Sequence, residues 1–167
     1  MQTKPLLSYP KHPEFEELLN SCGSMTRQLE DLGHKLSVTL LAECSENNNF
    51  RRYTTLNLNN TPVVVACSQT LIKNQFFYNL LKNASTTPIG KFLFSNNQVR
   101  RLENMKIELV NQKHFQQHKI IINNIILHKY RLDQTFWQRT SIFRHSKNEQ
   151  FELIEILLPE LELFFGK

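Results

Sequence analysis

Residues 51–68 read RRYTTLNLNNTPVVVACS, and this stretch decides the fold class. Arg51 to Leu58 and Pro62 to Ser68 are extended runs rich in β-branched and apolar residues, which favour strands. They are joined by Asn59-Asn60-Thr61, and asparagine tolerates the positive φ that a tight turn requires. The stretch therefore predicts an antiparallel hairpin.

Helix and strand patterns both occur on either side of this hairpin. Helical spacing of apolar residues and capping signals predict four helices, at Pro13–Cys22, Ser24–Leu32, Thr70–Leu81 and Pro88–Phe94. Alternating and β-branched runs predict four more strands, at Lys35–Glu43, Lys106–Val110, Trp137–Phe143 and Phe151–Leu158. Lys119 to Leu127 fits two short strands around Asn123-Asn124 or part of a helix, and we favour the hairpin.

Hairpins outnumber the βαβ patterns that a parallel sheet would need. The sequence therefore predicts one α+β domain spanning residues 1–167. We expect a mostly antiparallel sheet of about six strands, with helices covering one face and the ends.

Composition and cysteine usage limit the class of protein. A length of 167 residues with 40% hydrophobic content suits one globular domain. No apolar run approaches the roughly 18 residues that a membrane span needs, and the N-terminal residues resemble no signal peptide. Three widely spaced cysteines predict reduced thiols rather than a disulfide framework. We expect a monomer in the cytoplasm.

The positive charge is scattered along the chain. A formal charge of +5 and a pI near 9.2 favour anionic partners, but Arg51-Arg52 and Arg100-Arg101 are the only arginine pairs. No nucleic-acid-binding motif is recognisable, so nucleic acid is not an expected partner. A small dianionic substrate explains the modest basic excess equally well.

Arg52 and Glu155 are anomalies in the alternation of their strands. Arg52 shares its side with Thr54, Leu56 and Leu58, so it is predicted to point inward, where a guanidinium needs a carboxylate or several acceptors. Glu155 falls among Phe151, Leu153 and Leu157, in a strand apolar on both faces. A desolvated carboxylate is a candidate for proton handling. The residues alone leave open that the two charges pair with each other or reach water at strand ends.

Other candidate constellations are weaker. His114 and His118 lie at i, i+4, a spacing that could place two metal ligands on one helix face, but no accompanying glutamate completes a zincin-like pattern. No metal site is therefore predicted. Trp137 is most simply a core residue.

Three segments in a fixed order resemble one enzyme family. They are Ser24-Met25-Thr26-Arg27 followed by Leu36-Ser37-Val38-Thr39, then Thr87-Pro88-Ile89-Gly90-Lys91-Phe92-Leu93-Phe94, and finally Glu155-Ile156-Leu157-Leu158-Pro159. This set resembles the chorismate pyruvate-lyases, which convert chorismate into 4-hydroxybenzoate and pyruvate at the start of ubiquinone synthesis. The family has an antiparallel sheet and uses no cofactor.

The resemblance implies roles for four residues. Arg52 matches the carboxylate-binding arginine and Glu155 the acidic residue, and both are expected to be catalytic as well as substrate-binding. Met25 and Ile89 match positions that contact the ligand through backbone groups. One departure is Cys67, which counting from Pro62 places where the lyases commonly have a second arginine. Two alternatives therefore remain: a non-catalytic module of the same fold that binds a small aromatic ligand, and a degenerate lyase with another substrate.

Overall fold

The predicted hairpin is present in the structure, which is a computed structural model that describes residues 12–115, 118, 129–131, 133–146 and 148–166. Strand β2 (Asn49–Leu58) pairs antiparallel with β3 (Thr61–Leu71). The turn between them is Asn59-Asn60, with φ of 48° and 68°. Positive φ at both central residues is the geometry of the tight turn that matches strand twist, and asparagine adopts it readily.

A second asparagine turn adds the edge strand. Strand β1 (Leu36–Glu46) is joined to β2 by Asn47-Asn48, with φ of 49° and 63°. The register of this pair shifts between Leu40 and Ala42, which marks a β-bulge. The two hairpins share β2, so the N-terminal part of the sheet is a meander.

Within the described residues the sheet has seven strands, and every neighbouring pair is antiparallel. Their order is β1-β2-β3-β7-β6-β4, and β5 also pairs with β6. The remaining strands are β4 (Val99–Arg101), β5 (Lys106–Asn111), β6 (Thr135–His145) and β7 (Gln150–Leu157). The α+β prediction is confirmed.

Four α-helices lie in the described segments. They are α1 (Pro13–Asn20), α2 (Met25–Asp31), α3 (Gln75–Ala84) and α4 (Ile89–Ser95). Ser24 caps α2 by accepting a hydrogen bond from the amide of Arg27 at 3.4 Å. Gly33, with φ of +77°, follows this helix as predicted. Short 3-10 helices cover Gln112–Phe115 and Pro159–Phe164.

One boundary prediction was wrong, and one strand was missed. Thr70 does not begin a helix, because β3 continues to Leu71 and Thr70 pairs with Phe50 on one side and Phe151 on the other. Strand pairing on both sides outweighs the helical spacing of the residues that follow. Strand β4 was missed because three residues are too few to show alternation. The predicted hairpin at Lys119–Leu127 lies outside the described residues.

The helices cover one face of the sheet. One core cluster joins α1 and α2 to the sheet through Phe15, Met25 and Leu56, and another joins α3 and α4 through Phe77, Leu93 and Leu153. A third cluster fills the opposite face. None of the helices in these segments has the length and apolarity that crossing a bilayer requires. The gap between the first two clusters is where the candidate site lies.

Candidate functional site in an enclosed pocket

Strand register builds the floor of the pocket. Arg52 on β2 pairs with Ser68 on β3, which pairs with Leu153 on β7. In the adjacent row, Ala66 on β3 pairs with Glu155 on β7. Because neighbouring strands lie about 4.8 Å apart, the strands that carry Arg52 and Glu155 are separated by roughly 10 Å. The small side chains of β3 lie between the two charged groups and leave space above them.

This space is an enclosed cavity of about 30 Å³ beneath α2 and α4. All four predicted site residues line it, although they come from separate parts of the chain: Met25, Arg52, Ile89 and Glu155. The remaining lining residues are Ser24, Thr26, Val38, Thr54, Leu56, Ala66, Ser68, Pro88, Gly90, Phe94, Arg101 and Leu153. The prediction that Arg52 and Glu155 face one largely apolar pocket is confirmed.

Arg52 is buried, with 1% of its surface exposed. Its Nη2 donates to the carbonyl oxygens of Ser85 and Thr87, in the connection between α3 and α4. Its Nε has no hydrogen-bond partner in the described part of the chain. Burial lowers the pKa of Arg52, and the charge of Glu43 partly offsets this effect. One side of the guanidinium is therefore fixed to the protein, while the buried Nε lacks a partner among the described residues.

Glu155 is paired with an arginine that sequence reasoning did not select. The Nε of Arg139 donates to Glu155 Oε2 at 2.5 Å, and neither residue is more than 3% exposed. Arg139 Nη1 also donates to the carbonyl oxygens of Leu18 at 3.2 Å and Ser21 at 3.1 Å. The open interpretation that Arg52 pairs with Glu155, or that both reach water, is therefore wrong. Glu155 Oε1 forms no hydrogen bond with the described residues, so it can accept one from a ligand.

A third guanidinium, that of Arg101 on β4, lines the cavity. Its Nη1 donates to the carbonyl oxygen of Cys22 at 2.6 Å, whereas its buried Nε and Nη2 have no partner in the described segments. The group lies 5.2 Å from the ring centroids of Phe94 and Phe143, within cation–π range. Burial lowers the pKa of Arg101 and nearby Arg139 lowers it further, while Glu155 and Cys22 raise it.

Arg52, Arg101 and Glu155 thus line the cavity, and Arg139 joins them through its ion pair with Glu155 without lining the cavity itself. If all four are ionised, three positive charges and one negative charge give a net charge of +2 in a largely buried environment. Unpaired charge in such surroundings is costly. A ligand with two negative charges would neutralise it, so the arrangement favours binding of an organic dianion.

Cys67 does not face this pocket, which corrects the expectation drawn from counting. Register shifts between Leu56 and Asn57: Asn57 pairs with Pro62, but Leu56 pairs with Val64. The extra residue in β3 pairs Ser68 rather than Cys67 with Arg52. A shift of one residue exchanges the faces of a strand. The additional guanidinium of the pocket belongs to Arg101.

On the opposite face, Cys67 lies in a buried apolar cluster with Tyr53. The hydroxyl of Tyr53 is 2.9 Å from His118 Nδ1, and Cys67 Sγ is 4.0 Å from the same nitrogen. Burial raises the pKa of Cys67 to about 12, although the hydrogen bond with Tyr53 opposes this effect. His114 instead accepts from the amide of Asn111 at 3.0 Å. Among the residues the structure describes, no group of three histidine, cysteine or acidic side chains is placed to bind a metal.

Helices α2 and α4 form the roof of the cavity. A Cβ atom added to Gly90 would lie 2.6 Å from Ser24 Oγ and 3.1 Å from Thr26 Oγ1, so glycine permits this close approach. On the outer side, Lys91 Nζ lies 3.0 Å from Glu30 Oε1. An open groove of about 360 Å³ lies above, and it shares Ser24, Gly90 and Phe94 with the cavity.

The cavity has room for about two water molecules. Sites for drug-sized ligands typically enclose at least roughly 300 Å³. A ligand with a six-membered ring therefore requires the roof to move outward, and the shared lining places the route between α2 and α4.

Comparison with known proteins shows a shared fold. No protein-family model matches this sequence, and no curated protein matches it significantly. Among solved structures, the effector domain of PhnF from Mycobacterium smegmatis has a TM-score of 0.59 and 9% identity, with coverage of 84% of this chain and 91% of that one. For PhnF itself the TM-score is 0.59, identity is 8%, and coverage is 84% of this chain and 66% of that chain.

A third similar structure is gene product SA0254 from Staphylococcus aureus. Its TM-score is 0.51 and its identity 7%, with coverage of 82% of this chain and 88% of that one. At such low identity these matches show the common architecture and carry no residue roles. The chain therefore has the fold of the PhnF effector domain.

Proposed function

We propose that this chain is a chorismate pyruvate-lyase that binds chorismate in the enclosed pocket and eliminates pyruvate to give 4-hydroxybenzoate. One observation carries the proposal. Arg52, Glu155, Met25 and Ile89, which the resemblance implies as ligand contacts, line the same cavity although they lie in four different elements.

The charges of the site fit the substrate. Chorismate carries two carboxylates, and the proposed site has a net charge of +2 when its four ionisable side chains are charged. Arg52 holds the ring carboxylate through Nε, since its Nη2 is already committed to the roof. Arg101 offers Nε and Nη2 to the carboxylate of the enolpyruvyl group. A guanidinium suits this task because its donors are planar and permanently charged.

Glu155 accepts a hydrogen bond from the ring hydroxyl through Oε1, while Arg139 fixes its other oxygen. In the reaction the carbon–oxygen bond to the enolpyruvyl group breaks, the ring loses one proton and the released enolpyruvate gains one. Aromatisation drives this elimination, so the atoms balance without a cofactor. The protein needs only to orient the substrate and stabilise the charge that develops on the leaving group.

The direct test is to incubate the purified chain with chorismate and measure both pyruvate and 4-hydroxybenzoate. Arg52→Ala should reduce kcat/KM at least tenfold, because a charge-assisted hydrogen bond contributes about 1.5–3 kcal/mol. Arg51→Ala is the matched control, since Arg51 faces the other side of β2 and donates to Gln69 Oε1 at 3.1 Å. Equal activity in the two variants would refute the assignment of Arg52.

A second candidate is a non-catalytic module that binds a small aromatic acid. The observation that favours it is the fold shared with the effector domain of PhnF. The same cavity and the same arginines serve either function. Binding of 4-hydroxybenzoate without any release of pyruvate from chorismate would favour this module, whereas equimolar formation of both products would establish the lyase.

A further inference from the structure

Ser68 is a polar side chain of the pocket floor that the proposed mechanism does not use. It is fully buried, lines the cavity, and its Oγ has no hydrogen-bond partner in the described part of the chain. Buried hydroxyl groups in proteins are nearly always hydrogen-bonded. Because Ser68 borders the cavity, a ligand in the cavity could supply the partner that its hydroxyl lacks.

The register of the sheet identifies which end of the ligand Ser68 can reach. Ser68 is the cross-strand partner of Arg52, so the two side chains are neighbours on the same face. The Nε of Arg52 is likewise buried without a partner. Arginine can only donate hydrogen bonds, whereas a serine hydroxyl can donate or accept. A carboxylate has acceptors for both groups, so one ligand carboxylate could satisfy the Nε of Arg52 and the hydroxyl of Ser68 together.

We propose that Ser68 is a ligand-contacting residue whose hydroxyl donates a hydrogen bond to the carboxylate held by Arg52. Through this hydrogen bond Ser68 selects acids over neutral analogues. This assignment rests on the proposed function, because it requires that the pocket bind a carboxylate. Ser68 would add a neutral hydrogen-bond donor to a site in which the other side chains assigned to ligand carboxylates are guanidinium groups.

Ser141 provides a matched control. It is also a fully buried serine with an unpartnered Oγ, and it pairs with Leu153, as Ser68 does from the other side of β7. However, it does not line the cavity. Loss of its hydroxyl therefore tests the effect of removing a buried serine hydroxyl from the same row of the sheet.

The experiment is calorimetric titration with 4-hydroxybenzoate and with the neutral probe 4-hydroxybenzamide, on wild type, Ser68→Ala, Ser68→Cys and Ser141→Ala. Ser68→Ala should weaken binding of the acid roughly tenfold to a hundredfold, as expected for a hydrogen bond to a charged group. Binding of the amide should change much less. Ser68→Cys, which retains a weak donor, should fall between wild type and Ser68→Ala.

The melting temperature of each ligand-free protein separates binding from folding. The proposal expects Ser68→Ala to melt no lower than wild type, because it removes a hydroxyl with no protein partner. Equal weakening of the acid and the amide, unchanged acid affinity, or an equal loss in Ser141→Ala would overturn the assignment of Ser68. If wild type binds neither probe, both the proposed function and the assignment of Ser68 fail. If wild type and Ser68→Ala bind the acid equally tightly, only the assignment of Ser68 fails.

Discussion

The ion pair between Arg139 and Glu155 gives a prediction with a magnitude that follows from the contacts. Arg139→Met removes the donor to Glu155 Oε2 and the donor to the carbonyl oxygens of Leu18 and Ser21. Glu155 then remains buried without its charge partner. Removing one member of a buried ion pair costs about 3–5 kcal/mol, which corresponds to a fall in melting temperature of roughly 6–20 °C at this chain length.

The measurement is urea unfolding followed by the fluorescence of Trp137, the only tryptophan in the sequence. A second variant, Arg139→Met with Glu155→Leu, should recover most of the stability, because apolar side chains of similar size can replace a buried pair. It should still lack turnover, since Glu155 is absent. Stability and activity would thus separate in one pair of variants.

The control is an ion pair between an arginine and an aspartate at the surface. Arg131 donates to both carboxylate oxygens of Asp133 at 3.1 Å and 3.0 Å, but both side chains are more than 70% exposed. Arg131→Met should therefore change stability by less than about 1 kcal/mol. A similar small change for Arg139→Met would refute the reasoning, because it would mean that Glu155 is not held as a buried ion by Arg139.

Three further predictions concern the pocket and its roof. Arg101→Ala should raise KM for chorismate more than it weakens binding of 4-hydroxybenzoate, because the product lacks the enolpyruvyl carboxylate. Steady-state kinetics and calorimetry measure the two effects, and Arg100→Ala, at an exposed position, is the control. Cys67→Arg should lower the urea midpoint and leave turnover per folded molecule no higher than wild type, because it places a charge in a buried apolar cluster; a rise in kcat/KM would contradict its assignment to the opposite face. Gly90→Ala should lower the melting temperature by a few degrees, since its Cβ would lie 2.6 Å from Ser24 Oγ; an unchanged value would show that α2 and α4 are loosely packed.

Alternation predicted the inward direction of Arg52 and Glu155 because both lie in long strands with neighbours on each side. Their apolar companions mark the buried face, so the signal lies in the sequence itself. The same signal was present for Arg139, which lies on the same side of β6 as Trp137, Ser141 and Phe143. The predicted strand Trp137–Phe143 already contains this residue, and the strand β7 that carries Glu155 is its neighbour in the sheet.

Alternation could not predict that Arg101 lines the pocket or on which face of the sheet Cys67 lies. Arg101 lies in a strand of three residues, and its partner Phe143 is distant in sequence. The face of Cys67 depends on a β-bulge after Pro62, and no local pattern distinguishes a bulged from a regular hairpin in a run such as Val63-Val64-Val65. Register set by tertiary packing therefore decided which residue of β3 lies beside Arg52.

The three arginines at the site also hold main-chain segments next to the helices of the roof. Arg52 donates to main-chain oxygens between α3 and α4, and Arg101 and Arg139 donate to main-chain oxygens at the end of α1 and before α2. In the proposed complex, Arg52 and Arg101 therefore contact the ligand as well as these main-chain segments. Because opening of the pocket competes with these hydrogen bonds, we expect a ligand to associate more slowly than diffusion allows and to leave slowly. For the proposed lyase we therefore expect product release, rather than bond breaking, to limit turnover.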